Sequence, residues 1–274
     1  MNKLIPFLLI VFIAGCTSIN NQVTTIRIKG SDTMLQLTEA LAREYMRQNK
    51  DVSIYVEGGG SASGINSLIN NEIDIATASR LLRADEAKSL AEYYGSIGLY
   101  YLIAKDALSI FVNENNSVKN LTMEQIKKIF TCEITNWKEL GGKDKRIDGV
   151  IRNPNSGTYL YFKEHVLEGE EYCDSLLVLP TTAAIVEYVK NSENAIGYGG
   201  IGYGEESINA TVEGIAPIEQ NARNDTYPIT RYLHLFTSRS PQGAVKNFID
   251  WVLTPAGQAV IKEAGFIPLW ENPS

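Results

Sequence analysis

Apolar positions along this chain recur at two periods. Residues 26–28 and 52–56 alternate at period two and predict strands. Between them, Leu37, Leu41 and Tyr45 share one face of a helix predicted over 35–48. A short helix with Ile65, Leu68 and Ile69 inward is predicted over 65–70, then a strand over 73–76. The β-α-β-α-β series implies an α/β sheet with crossover helices. From Ala107 the pattern resumes with new elements. Strands are predicted at 108–112, 150–152, 176–179, 195–198 and 232–236, and helices at 157–166, 181–190, 241–253 and 255–264. Thr122 and Gln125 form a capping-box pattern opening a helix that runs to Phe130. No Pro-rich or Ser-rich linker separates the two series. Two lobes joined by crossing strands account for that better than a tandem pair on a flexible linker.

The first residues read differently. Lys3 precedes an apolar run over 4–15 that ends at Cys16. The run is shorter than the roughly 20 residues that span a bilayer and has the pattern of a signal peptide. Ile13-Ala14-Gly15-Cys16 resembles a bacterial lipobox, which implies cleavage before Cys16 and lipidation of its thiol. The alternative is a signal peptide cut elsewhere. The expected division is a signal peptide over 1–15 and a lipidated tether over 16–24.

Composition narrows the classes. The 274 residues are 44% hydrophobic and 21% charged, which excludes a disordered or collagen-like chain. The net charge of −7 argues against a nucleic-acid partner gripped through phosphates. It does not argue against a small anion, because a buried site can be locally positive. The 2 histidines, His165 and His234, are too few for a multi-His metal site, so neither metal nor cofactor is expected. Cys132 and Cys173 remain besides Cys16. They lack metal or redox spacing, and sequence leaves open whether they pair.

The informative feature is a recurrence. Three loops rich in Ser, Thr and Gly each run from a predicted strand into a predicted helix: Gly30-Ser31-Asp32-Thr33-Met34, Gly58-Gly59-Gly60-Ser61-Ala62-Ser63-Gly64, and Arg152-Asn153-Pro154-Asn155-Ser156-Gly157-Thr158. The first turn of a helix has N–H groups without helical partners, and the helix dipole favours negative charge there. Hydroxyls add donors, and Gly lets the backbone approach a ligand closely. Each loop alone reads more readily as a plain N-cap. Together they suit a tetrahedral oxyanion held without a metal. Arg152 adds a planar fork of donors for charge recognition, or else belongs to a surface ion pair. Arg80, at the end of a predicted buried strand, is either a second charge contact or, more in keeping with its place, an interlobe pair. Neither a P-loop lysine nor a nucleophile elbow is present. The glycine-rich segment 197–204 predicts a tight turn where the backbone passes close to a neighbour. Tyr93, Tyr94, Tyr100 and Tyr101 are expected to serve packing.

From about Ile26 to Leu269 the chain resembles the phosphate-binding proteins of bacterial phosphate ABC transporters. The three loops carry the resemblance, with Ile73-Asp74-Ile75-Ala76 leading to Ser79-Arg80, Ile134-Thr135-Asn136-Trp137, and Ala195-Ile196-Gly197-Tyr198. It implies a two-lobed periplasmic-binding-protein fold (type II), each lobe a mixed sheet flanked by helices, with a hinge of two crossing strands near 100–108 and 228–236. Lobe 1 would be 25–106 with 232–274, and lobe 2 would be 107–231. It further implies a monomeric binding protein without catalysis, in the cell envelope, anchored to the membrane through lipidated Cys16 and feeding phosphate to permease subunits. The matching phosphate contacts are Thr33 and Met34 with Ser31 beside them, then Ser61, Ser79, Arg152, Ser156, Gly157 and Thr158. The chain departs from the family pattern twice. Ser79 stands where many members place an Asp that accepts the proton of hydrogen phosphate, which makes Asp32 the candidate acceptor. Pro154 stands where a second Asp pairs with the binding Arg. The competing expectations are another oxyanion such as sulfate or molybdate, an exported phosphatase using Ser31, Ser61 or Ser156, and a phosphate-sensing surface protein.

Overall fold

The computed structural model describes residues 23–204 and 208–270. The expected signal peptide and Cys16 lie outside the described residues, as does most of the expected tether.

The first half opens with β1 (Thr24–Gly30), a single 3-10 turn (Asp32–Met34) and α1 (Leu35–Gln48). β2 (Val52–Glu57), α2 (Ser61–Ile69), β3 (Ile75–Ala78) and α3 (Ala84–Tyr94) follow. β4 (Leu99–Val112) leads into the second half: β5 (Asn120–Leu121), α4 (Met123–Phe130), β6 (Asp148–Arg152), α5 (Gly157–His165), β7 (Leu177–Leu179), α6 (Thr182–Asn191), β8 (Ala195–Gly200), β9 (Asn209–Val212) and α7 (Glu219–Arg223). β10 (Thr230–Thr237), α8 (Gly243–Val252), α9 (Pro255–Glu263) and β11 (Ile267–Pro268) return to the first half.

The strand order is β2-β1-β3-β10-β4-β8-β6-β7. β1 runs parallel to β2 and β3, and β6 runs parallel to β7 and β8. β4 belongs to both halves. Its residues from Leu99 to Ala107 pair antiparallel with β10, and from Leu108 to Val112 with β8. One core gathers Ile28, Leu37, Tyr45, Ile103, Leu235 and Phe248; another gathers Leu108, Ile110, Phe130, Trp137, Phe162 and Tyr198. This is a mixed α/β fold in which strands shared at the centre join two helix-flanked sheets. Among the described residues no helix is long and apolar enough to cross a membrane.

Local chemistry explains where elements begin. Thr122 Oγ1 accepts from the Gln125 N–H at 3.1 Å and Gln125 Oε1 accepts from the Thr122 N–H at 2.9 Å, so the capping box opens α4 as its sequence predicts. Thr254 caps α9 with Pro255 in its first turn. α2 starts at Ser61, four residues before the apolar pattern, because its first turn faces the loops of the cleft and carries no apolar signal. β3 lies two residues beyond its predicted span. α3 escapes the apolar pattern because its buried residues are Leu90 and the charged Glu86. The segment predicted as a glycine turn is instead β8 followed by a 3-10 turn over Ile201–Tyr203. The close approach is real: a Cβ at Gly199 would stand 2.2 Å from Thr182 Cγ2. Cys132 and Cys173 form a disulfide, Cα to Cα 5.6 Å, tying the end of α4 to the segment after α5.

Candidate oxyanion site

Each of the three loops follows the carboxyl end of a parallel strand, where open α/β sheets bind ligands. The structure brings them together. Gly60 N–H donates to Gly30 O at 2.9 Å and Gly59 N–H to Asp32 Oδ1 at 2.8 Å, which ties the second loop to the first. The third loop reaches both from the other half. Thr158 Oγ1 and Thr33 Oγ1 are 2.9 Å apart, Asn155 Nδ2 donates to Gly59 O at 3.0 Å, and Ala62 N–H donates to Asn155 O at 3.2 Å.

Two glycines make this closeness possible. Gly60 has φ +94°, and a Cβ there would meet Asn155 O at 2.7 Å. A Cβ on Gly157 would stand 2.3 Å from Ser61 Oγ and 2.6 Å from Ser79 Oγ. Gly157 is therefore where the third loop touches the second loop and the end of β3.

Arg152 ends β6 with 1% of its surface exposed. Nη2 donates to Asp32 Oδ2 at 2.7 Å and Nη1 to Thr182 Oγ1 at 2.9 Å, while Nε has no partner among the described residues. Burial pulls the guanidinium pKa down and the Asp32 carboxylate opposes that, so the group stays charged. Asp32 thus supplies the carboxylate partner that Pro154 cannot. Its Oδ2 accepts from Arg152 and its Oδ1 from the Gly59 N–H, so Asp32 is the charge partner of Arg152.

The remaining predicted residues fall as follows. Ser31, Thr33, Ser61, Ser79, Ser156 and Thr158 are all buried at the meeting of the loops. Ser31 Oγ donates to Ser79 Oγ at 3.3 Å, and Ser79 N–H donates to Ser61 Oγ at 3.2 Å. Ser156 caps α5, its Oγ accepting from the Thr158 and Tyr159 N–H groups. Met34 differs from expectation: its side chain joins the first core and its N–H is taken by Ser31 O at 3.0 Å. Arg80 also differs. Among the described residues it makes no interlobe pair but a bidentate one with Glu86 on α3, at 2.6 and 2.8 Å.

Sequence reasoning passed over four neighbours. Arg231 on β10 holds buried Asp106 on β4 through Nε and Nη2, and its Nη1 donates to Thr158 Oγ1 at 3.0 Å. Burial pushes the Asp106 carboxyl pKa up and Arg231 counters it. Tyr203 Oη donates to Asp32 O at 2.8 Å, and burial raises its pKa to about 12. Thr182 steadies Arg152 from the first turn of α6. Only Tyr203 had a signal, its place in the glycine-rich segment. The others sit in ordinary strand and helix patterns.

Two helix-flanked sheets joined by shared strands, with helix N-termini and a buried guanidinium where they meet, define a two-lobed solute-binding protein of the periplasmic type. Residues 17–256 match the PBP superfamily domain. The phosphate-binding protein PstS of Pseudomonas aeruginosa is 34% identical over 263 residues, covering 88% of this chain and 81% of that protein. PstS of Bacillus subtilis is 30% identical over 251 residues, covering 89% and 81%. A phosphate ABC transporter substrate-binding protein from Clostridium perfringens, solved with bound phosphate, superposes with TM-score 0.84 at 32% identity, covering 90% of this chain and 100% of that one. The chain belongs to the family of phosphate ABC transporter substrate-binding proteins.

Proposed function

We propose that this protein captures inorganic phosphate between its two lobes and delivers it to the permease of an ABC transporter. The observation that carries this is Arg152: a buried guanidinium oriented by Asp32 and Thr182, with Nε unpartnered among the described residues, where the first turns of α2 and α5 meet. Helix N-termini and guanidinium together favour an anion, and buried hydroxyls replace its water. The names of the relatives in Pseudomonas aeruginosa and Bacillus subtilis support phosphate as that anion.

In this reading lobe 1 is 25–106 with 232–274 and lobe 2 is 107–231, consistent with β4 changing partner between Ala107 and Leu108. Ser31, Thr33, Ser61, Ser79, Arg152, Ser156, Gly157 and Thr158 surround the anion. Closure is stabilised by the anion's preference for the closed state. The protein acts as a monomer, binds without turnover, and is held in the cell envelope by lipidated Cys16. Calorimetric titration of anion-stripped protein tests the reading. One-to-one phosphate binding without hydrolysis of a generic phosphomonoester supports it; absence of phosphate binding overturns it.

A further inference from the structure

The glycine-rich segment at the end of β8 belongs to none of the three loops, yet it sits where the two halves touch. A Cβ at Gly202 would stand 3.2 Å from Gly265 O and 3.5 Å from Ala264 O. The 3-10 turn Ile201–Tyr203 therefore lies close against the backbone between α9 and β11, in the first half. The missing side chain at Gly202 allows that approach.

This turn delivers Tyr203. Its side chain packs against the core that gathers Leu37 and Phe248 in the first half, and against the cluster of Phe111, Val150 and Ile185 in the second. The ring thus bridges the halves. The hydroxyl reaches on into the first loop. Oη donates to Asp32 O at 2.8 Å and, less closely, to Thr33 O at 3.3 Å. Burial raises its pKa to about 12, so the hydroxyl keeps its proton to donate.

Both acceptors belong to the single turn that carries Thr33. A trans peptide is planar, and its C=O and N–H point in opposite directions. Asp32 O shares its peptide with the Thr33 N–H, so a donor held at one end fixes the direction of the other. Asp32 O also accepts from the Leu35 N–H, which leaves the carbonyl doubly bonded to donors. Hydrogen bonds in series polarise one another, and the Thr33 N–H becomes the stronger donor. Thr33 also carries the hydroxyl that lies 2.9 Å from Thr158 Oγ1 across the halves.

We propose that Tyr203 is a positioning residue for phosphate binding: from the second half it sets the peptide between Asp32 and Thr33 and latches the first loop in the closed arrangement, which slows release of the anion. The inference rests on the phosphate reading above and adds to it a residue that acts through the loop, without touching the anion.

Tyr203→Phe removes the donor and keeps the ring between the halves. Tyr94→Phe is the matched control. Tyr94 Oη likewise donates to two successive carbonyls, Leu68 O at 3.1 Å and Ile69 O at 3.0 Å, but wholly within the first half. Phosphate affinity is read by calorimetry on anion-stripped protein, and the dissociation rate by chasing labelled phosphate with unlabelled. Tyr203→Phe should bind phosphate roughly 3- to 10-fold more weakly, the net contribution of one hydrogen bond, with the whole change in dissociation and none in association. Tyr94→Phe should match the wild type in both. Wild-type affinity in Tyr203→Phe overturns the inference and leaves the phosphate reading standing. So does a loss that falls on association alone, or one that Tyr94→Phe shares. No phosphate binding by the wild type is the separate failure of the reading beneath it, and ends this inference too.

Discussion

Asp32 Oδ2 lies 2.7 Å from Arg152 Nη2, so a carboxylate from the loop after β1 orients a guanidinium at the end of β6 in the opposite half. The pair is buried on the arginine side and partly exposed on the aspartate side. Because it joins the halves, it orients the guanidinium and ties the two halves together at once.

Asp32→Asn should therefore weaken phosphate and sulfate alike. A charge-assisted hydrogen bond contributes about 1.5–3 kcal/mol, which corresponds to a loss of roughly 10- to 150-fold. Competition titration of the variant reads both affinities. A changed phosphate-to-sulfate ratio would return Asp32 to the role of proton acceptor.

Gly157→Ala should impair closure. The added Cβ would fall 2.3 Å from Ser61 Oγ and 2.6 Å from Ser79 Oγ, contacts that only the joined loops impose. Overpacking of this kind costs about 1–3 kcal/mol, so phosphate affinity should drop roughly 5- to 150-fold while the melting temperature of the anion-free protein changes little. Unchanged affinity would mean that the loops do not meet around the anion.

These two residues also mark how far the sequence could be read. The loops, Arg152 and most strands were legible because hydroxyl, glycine and apolar patterns are local. The partner of Arg152 was not, since Asp32 lies 120 residues away and only the fold brings it near. Arg80 was misplaced for a related reason: Glu86 sits on a helix with little apolar signal, and its ion pair is decided by packing. Arg231 and Asp106 lie just outside the strands predicted at 232–236 and 108–112, and only the register of β4 and β10 sets them side by side.

Burial pushes the His234 pKa down to about 4, against 6.5 for an ordinary histidine. As pH falls the unfolded chain takes up the proton first, so this contribution to stability is full above about 6.5 and is lost progressively towards 4. The loss should reach about 2 kcal/mol by pH 5. Urea midpoints at pH 7.5 and pH 5 for wild type and His234→Gln isolate it. Equal pH dependence in the two proteins would show that His234 protonates as readily folded as unfolded.

The Cys132–Cys173 disulfide closes a loop with a sequence separation of 41. Loop-closure entropy gives it a contribution of about 4 kcal/mol in the chain-entropy model, with about 2–4 typical in practice. Cys132→Ser/Cys173→Ser should unfold at lower denaturant by that amount and keep its phosphate affinity, since the bridge lies away from the three loops. A loss of affinity without a loss of stability would contradict this.

The central claim is that phosphate binds at Arg152 between the three loops. A crystal structure grown with phosphate tests it most directly. The account predicts a tetrahedral anion within hydrogen-bond distance of the Arg152 guanidinium and of the Ser61 and Ser156 hydroxyls, between the first turns of α2 and α5. Phosphate bound elsewhere, with Arg152 contacting only Asp32 and Thr182, would contradict it.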